Sequence, residues 1–142
     1  MTTELLYLFL TSVLLAVAWI PFIYGQATHV GPLTPKEYVE GRHAEVPHWI
    51  RRADRAHLNL VEQYGAFAGL VLVAHLAGVS DAVTVWCAAI FFFARLAHAV
   101  IYIAGVSVLM ARTVVFLVAF LALVVYAIDI LVSFEWAAVS AA

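Results

Sequence analysis

The chain has 142 residues, of which 66% are hydrophobic and only 11% charged, with a mean hydropathy of +1.04; soluble domains carry about 25% charged residues. Such a composition marks an integral membrane protein with room for about four spans of roughly 20 residues and one real loop. It excludes a separate soluble module, so any active site must be built from the spans themselves; the net charge of −2 says little by itself, and no nucleic-acid partner is expected.

The first span is expected from about Leu5 to Gly25. Glu4 is the only charge before it, and the apolar run is longer than the 7–15 residues of a signal-peptide core, so it reads as a span and not as a leader. Pro21 falls near its end, where membrane helices tolerate a kink. Residues 28–46 hold Gly31, Pro32, Pro35 and Gly41 among mixed charges and read as a loop. Within that loop Thr34 and Pro35 have the chemistry of an N-cap and a first helical residue, which predicts a short helix. A second long helix is expected from about Pro47 to Gly78, with its first three turns projecting beyond the hydrocarbon. The third is expected over 82–104 and the last over 108–134, all within a single domain spanning residues 1–142.

Five of the seven Lys and Arg residues lie between Lys36 and Arg55. The positive-inside rule therefore puts the 28–55 segment in the cytoplasm and both termini on the other side. Cys87 is the sole cysteine, so no intrachain disulfide is possible. His29, His43 and His48 lack the spacing of a metal site, and none is expected. His75 and Asp129 fall at the opposite end of the bundle, where they are expected to pair with each other.

Ionisable groups inside spans are expensive, roughly 2.5–3.5 kcal/mol for a central arginine, and face a bundle interior or a wet cavity. Two stripes of them stand out. At about 100° per residue, Arg52, Arg55, Asn59 and Glu62 fall within an arc of about 80°, and Arg95, His98 and Tyr102 within about 60° on the next span. Arg112 and Thr113 open the last span at the same side. Glu62 stands 16 residues before Gly78 and Arg95 stands 14 after Asp81. Their depths, about 24 and 21 Å from the turn, nearly coincide, which predicts a buried Arg95–Glu62 ion pair. Fixed guanidinium groups with an amide, a carboxylate, an imidazole and a phenol suit a small, multiply charged ligand, since guanidinium forks favour carboxylates and phosphates. Arg51, Arg52 and Arg55 can equally serve as headgroup anchors.

The run Arg55-Ala-His-Leu-Asn59-Leu-Val-Glu62, followed by Arg95-x-x-His98-x-x-x-Tyr102 and then Arg112-Thr113, resembles the MAPEG superfamily, the membrane-associated proteins of eicosanoid and glutathione metabolism. The resemblance implies an all-α four-helix transmembrane bundle assembling as a homotrimer, with glutathione held between neighbouring subunits near the cytoplasmic side. It further implies that Arg55, Asn59 and Glu62 hold the peptide, that His98 and Tyr102 line the same site, and that Arg112, assisted by Thr113, stabilises the glutathione thiolate. Leu58, and Gln26 to Thr28, stand where some members carry additional arginines. The activity implied is that of a glutathione transferase, with possible peroxidase activity, acting on a lipophilic electrophile delivered by the lipid bilayer. The Ala- and Val-rich chain suggests a bacterial inner membrane. A noncatalytic ligand-binding scaffold and, less well supported, a small proton-coupled exporter are the alternatives.

Overall fold

A computed structural model describes residues 1–41 and 45–133. The described residues form six α-helices in order, α1 (Thr3–Ala18), α2 (Ile20–His29), α3 (Pro35–Glu40), α4 (His48–Leu76), α5 (Ala82–Ala104) and α6 (Ala111–Ser133), and no strand. Residues 42–44, which include His43, and the residues after 133 lie outside the described part.

The first apolar run is one span in length but two helices in detail. The helix breaks at Trp19 and resumes with Pro21 in the first turn of α2. A proline inside a helix has no N–H to donate and its ring crowds the carbonyl four residues earlier, whereas in a first turn that donor is not required. The second piece continues to His29, a turn beyond the expected end at Gly25. Helix α3 forms as its sequence predicts. The Thr34 hydroxyl accepts from the Glu37 amide at 3.4 Å, and the Glu37 carboxylate accepts from the Thr34 amide at 2.7 Å, a reciprocal capping box.

Residues 3–29, 82–104 and 111–133 are each long and apolar enough to cross a membrane. With 29 residues, α4 is about 43 Å long, but its first half carries Arg51, Arg52, Asp54, Arg55 and Glu62. Helix α6 starts at Ala111, not at Val108. Val108–Met110 form a 3-10 turn, and Met110 takes a left-handed φ of 54° that ends it.

The core lies between α4, α5 and α6. Phe67, Val71 and Ala74 of α4 meet Cys87, Ala88 and Phe91 of α5 and Ala119, Leu123 and Tyr126 of α6, with Leu5, Tyr7 and Leu8 of α1 packed on the outside. Phe67 and Phe91 stack at 4.2 Å between ring centres. The alanines matter because helix association in lipid depends on close van der Waals approach, which small side chains permit. Gly25 does the same between α2 and α4. A Cβ there would come within 2.6 Å of Ile50 Cγ1 and 2.7 Å of the Trp49 ring. Deeper in the bundle, the Ser12 and Tyr64 hydroxyls share a hydrogen bond of 2.7 Å that ties α1 to α4.

The α4–α5 turn is closed by polar contacts. Asp81 caps α5 by accepting from the Val83 and Thr84 amides at 2.7 and 3.0 Å. Glu4 of α1 is buried beside this turn, and its Oε1 accepts from the hydroxyls of Ser80 at 2.8 Å and Thr84 at 2.7 Å. The expected pairing of His75 with Asp129 does not occur. His75 is exposed, and Asp129 neighbours Asp81 instead. The candidate site lies at the other end of the bundle, hereafter the loop end.

Candidate functional site

At the loop end the polar stripes of α4 and α5 point in different directions relative to the core. On α4 the buried residues are Ile50, Ala53, Ala56, Leu60, Phe67, Val71 and Ala74. Glu62 lies roughly 150° around the helix from that apolar stripe, and Glu62 and Arg55 are both exposed. On α5 the polar stripe coincides with the buried face. Arg95 is 1% and His98 2% exposed, while Tyr102 is half-buried one turn nearer the helix end.

The predicted Arg95–Glu62 ion pair is therefore not made within the chain. None of the three guanidinium nitrogens of Arg95 has a hydrogen-bond partner. Its guanidinium carbon instead stands 5.8 Å from the centre of the Phe116 ring, a cation–π contact. The Glu62 charge acts on Arg95 at longer range, but Glu62 is exposed while Arg95 is buried.

What the fold does bring together is a cavity of about 280 Å³ lined by Asn59, His98, Tyr102, Arg112, Thr113 and Phe116. Three helices contribute. Asn59 is held from α4, its amide donating to the Arg55 carbonyl at 2.8 Å. From α5, the His98 ring sits edge-on to Tyr102 at 5.5 Å and at a tilt to Phe116 at 6.0 Å. Its Nδ1 is buried without a partner, and the charges of Arg95 and Arg112 both act on the ring. From α6, Arg112 lies over the Tyr102 ring at 4.6 Å, with Thr113 next to it in sequence and Phe116 one turn further on. A guanidinium held on an aromatic face keeps its edge donors available for an anion.

A second cavity of about 340 Å³ adjoins the first, sharing Tyr102, Arg112 and Thr113 and adding Arg52, Gly105 and Met110. Arg52 is already engaged there. Its Nε donates to the Ile103 carbonyl at 3.1 Å. Of the residues expected at the site, Arg52, Asn59, His98, Tyr102, Arg112 and Thr113 line one cavity or the other. Arg55 and Glu62 face outward on α4, and Arg95 lies in the packed interior behind Phe116.

Phe116 is the residue that sequence reasoning passes over. Its signal was available, since it stands four residues after Arg112 and must share a helical face with it. Gly105 was likewise marked as the first glycine after a long helical run.

Comparison with known proteins adds one positive finding. The sequence profile of the MAPEG family matches residues 3–132. No curated protein matches the chain. With the family pattern covering nearly all of the sequence, the chain belongs to the MAPEG family.

Proposed function

We propose that the protein is a membrane-bound glutathione transferase, which binds glutathione at the loop end and activates its thiol for attack on a lipophilic electrophile. The observation that carries this reading is the convergence of Asn59, His98, Tyr102, Arg112 and Thr113 from three helices on one cavity. A free thiol titrates near about 8.5, and a guanidinium beside it favours the thiolate, which is the nucleophile. Arg112 supplies that charge, Thr113 adds a hydroxyl within the same cavity, and Asn59 with Tyr102 orients the peptide. With a haloarene the thiolate sulfur forms a bond to the ring carbon and halide departs with the electron pair of the broken bond; with an enal the sulfur adds to the β-carbon, the π pair moves to the carbonyl oxygen and the α-carbon takes up a proton. With a hydroperoxide the thiolate sulfur takes the distal oxygen, the substrate leaves as its alcohol, and a second glutathione displaces water from the resulting sulfenic acid to give glutathione disulfide.

Arg55 and Glu62 fit this reading as groups presented outward from α4 to a neighbouring copy, in a homotrimer whose subunits share the peptide. In it α4 serves as a fourth span, with the loop end in the cytoplasm, the termini on the far side, and a bacterial inner membrane as the setting.

One observation favours a weaker or different thiol ligand. Gln26, Ala27 and Thr28 stand where some family members carry arginine, and the Thr28 hydroxyl and the His29 imidazole are spent on their own helix. The Thr28 hydroxyl donates to the Tyr24 carbonyl at 2.8 Å, and His29 Nδ1 lies 3.1 Å from the Gly25 carbonyl. The deciding experiment is ultraviolet thiolate difference absorbance on titrating purified protein with glutathione, repeated for Arg112→Ala. A saturable signal lost in the variant supports the proposal. Binding without a thiolate signal, and without turnover of haloarenes, enals or lipid hydroperoxides, would establish a noncatalytic binder instead.

A further inference from the structure

Arg52 does more than line the second cavity. Helix α5 ends in a Schellman motif. Gly105 adopts φ 76° and ψ 28°, its amide donates to the Tyr102 carbonyl at 3.2 Å, and the Val106 amide donates to the Ile101 carbonyl at 3.2 Å. That pattern provides no main-chain donor for the Ile103 carbonyl. Arg52, 51 residues earlier and on a different helix, fills the gap by donating from Nε at 3.1 Å. The contact is close as well as polar, for a Cβ on Gly105 would lie 2.8 Å from the guanidinium carbon of Arg52 and 2.9 Å from Nη2. Only glycine permits the guanidinium to lie there, and its left-handed φ independently favours glycine. A cation is also electrostatically matched to the partial negative charge of a helix C-terminus.

The turn so held carries Tyr102, whose ring seats Arg112, and leads through a five-residue connection, 106–110, directly to α6. We propose that Arg52 is a positioning residue. By clamping the C-terminus of α5 to α4 it sets where Tyr102 stands, and through Tyr102 where Arg112 meets the ligand's anionic atom, without Arg52 itself touching the ligand. The inference deepens the transferase reading and rests on it for its catalytic half; the clamp itself does not.

The test compares wild type with Arg52→Met, Arg52→Lys and Gly105→Ala. Hydrogen exchange at the Gly105 and Val106 amides is measured without any thiol, and glutathione kinetics with thiolate absorbance are measured alongside. The expected result is faster exchange at both amides in Arg52→Met and Gly105→Ala. Both variants should also lose about tenfold in kcat/KM, carried in kcat with glutathione KM nearly unchanged, and lose thiolate at fixed pH. The Arg52→Lys variant, whose ammonium can still donate to the Ile103 carbonyl, should restore part of both. Unchanged exchange in Arg52→Met overturns the clamp. A rise in KM at constant kcat, with Gly105→Ala silent, overturns the positioning role in favour of direct ligand contact. Faster exchange with kcat and thiolate unaltered leaves only a structural tie and equally overturns it. Absence of any thiolate signal in the wild type overturns the transferase reading and the catalytic half of this proposal, while exchange still decides the clamp.

Discussion

Replacing Tyr102 by phenylalanine and by leucine separates what its ring does from what its hydroxyl does. The guanidinium carbon of Arg112 stands 4.6 Å from the ring centre, within the roughly 6 Å reach of a cation–π contact. Because Arg112 is exposed, the contact belongs at the weak end of the range, about 0.5–1 kcal/mol. Leucine abolishes it, whereas phenylalanine keeps it. On the proposed function Arg112 favours the anionic form of the bound thiol, so loosening Arg112 should raise the thiol's pKa and lower the thiolate fraction at neutral pH. The energy converts to about a two- to fivefold change in the ionisation constant of bound glutathione. The assay is a pH titration of thiolate absorbance on purified protein saturated with glutathione. Tyr102→Phe should titrate as the wild type does, and Tyr102→Leu should be displaced to higher pH by that factor. Equal displacement in the two variants would refute the reasoning, because the hydroxyl and not the ring would then carry the effect.

Arg95 is buried with no hydrogen-bond partner, so Arg95→Met should leave thermal stability unchanged or raise it, whereas Arg95→Ala should lower it by emptying the space beside Phe116. A large loss in the methionine variant would reveal a counter-charge. Glu62→Gln should leave the stability of the bundle unaltered, as its carboxylate is exposed, while weakening glutathione binding in a titration. At the other end, Glu4→Ala deprives the Ser80 and Thr84 hydroxyls of their charged acceptor and should cost about 1.5–3 kcal/mol per hydrogen bond at most. Glu4→Gln, which keeps an acceptor, should lower the melting temperature less. Gly25→Ala places a methyl group 2.6 Å from Ile50 Cγ1; overpacking of about 1–3 kcal/mol exceeds a helix-propensity gain of up to about 1 kcal/mol, and combination with Ile50→Ala should be less than additive.

Much of the architecture was legible because its signals are local. Apolar runs ending at Gly78, Asp81 and Gly105 delimit α4 and α5 to within a residue or two, and Thr34-Pro-Lys-Glu announces α3 with its cap. The break at Trp19 and the late start of α6 were not legible. An apolar stretch such as Val108–Met110 carries no breaker, and its course depends on the left-handed φ of Met110. For the site, helical phase grouped Arg52, Arg55, Asn59 and Glu62, and separately Arg95, His98 and Tyr102, but the structure divides both groups: Arg52, Asn59, His98 and Tyr102 line cavities, whereas Arg55 and Glu62 face outward and Arg95 is interior. Phase within one helix says nothing about which way the group points. On α4 the direction is set by the buried line through Leu60, Phe67 and Val71, which turns Glu62 outward. On α5 the apolar and polar stripes overlap, which takes Arg95 into the interior. Depth arithmetic treats both helices as parallel rods and so finds Arg95 and Glu62 level without finding them apart.

The hydrogen bonds from Ser80 and Thr84 to Glu4 span 76 and 80 residues of sequence. During synthesis at about 5–20 residues per second, the carboxylate of Glu4 emerges roughly 4–16 seconds before the hydroxyls that receive it. Throughout that interval the first helix holds the Glu4 carboxylate without the Ser80 and Thr84 hydroxyls. The helix made first is thus expected to complete its docking only once the α4–α5 turn has been made. A ribosome stalled shortly before Ser80 should hold a nascent chain whose first helix is inserted but undocked, and one stalled well past Thr84 should hold it locked.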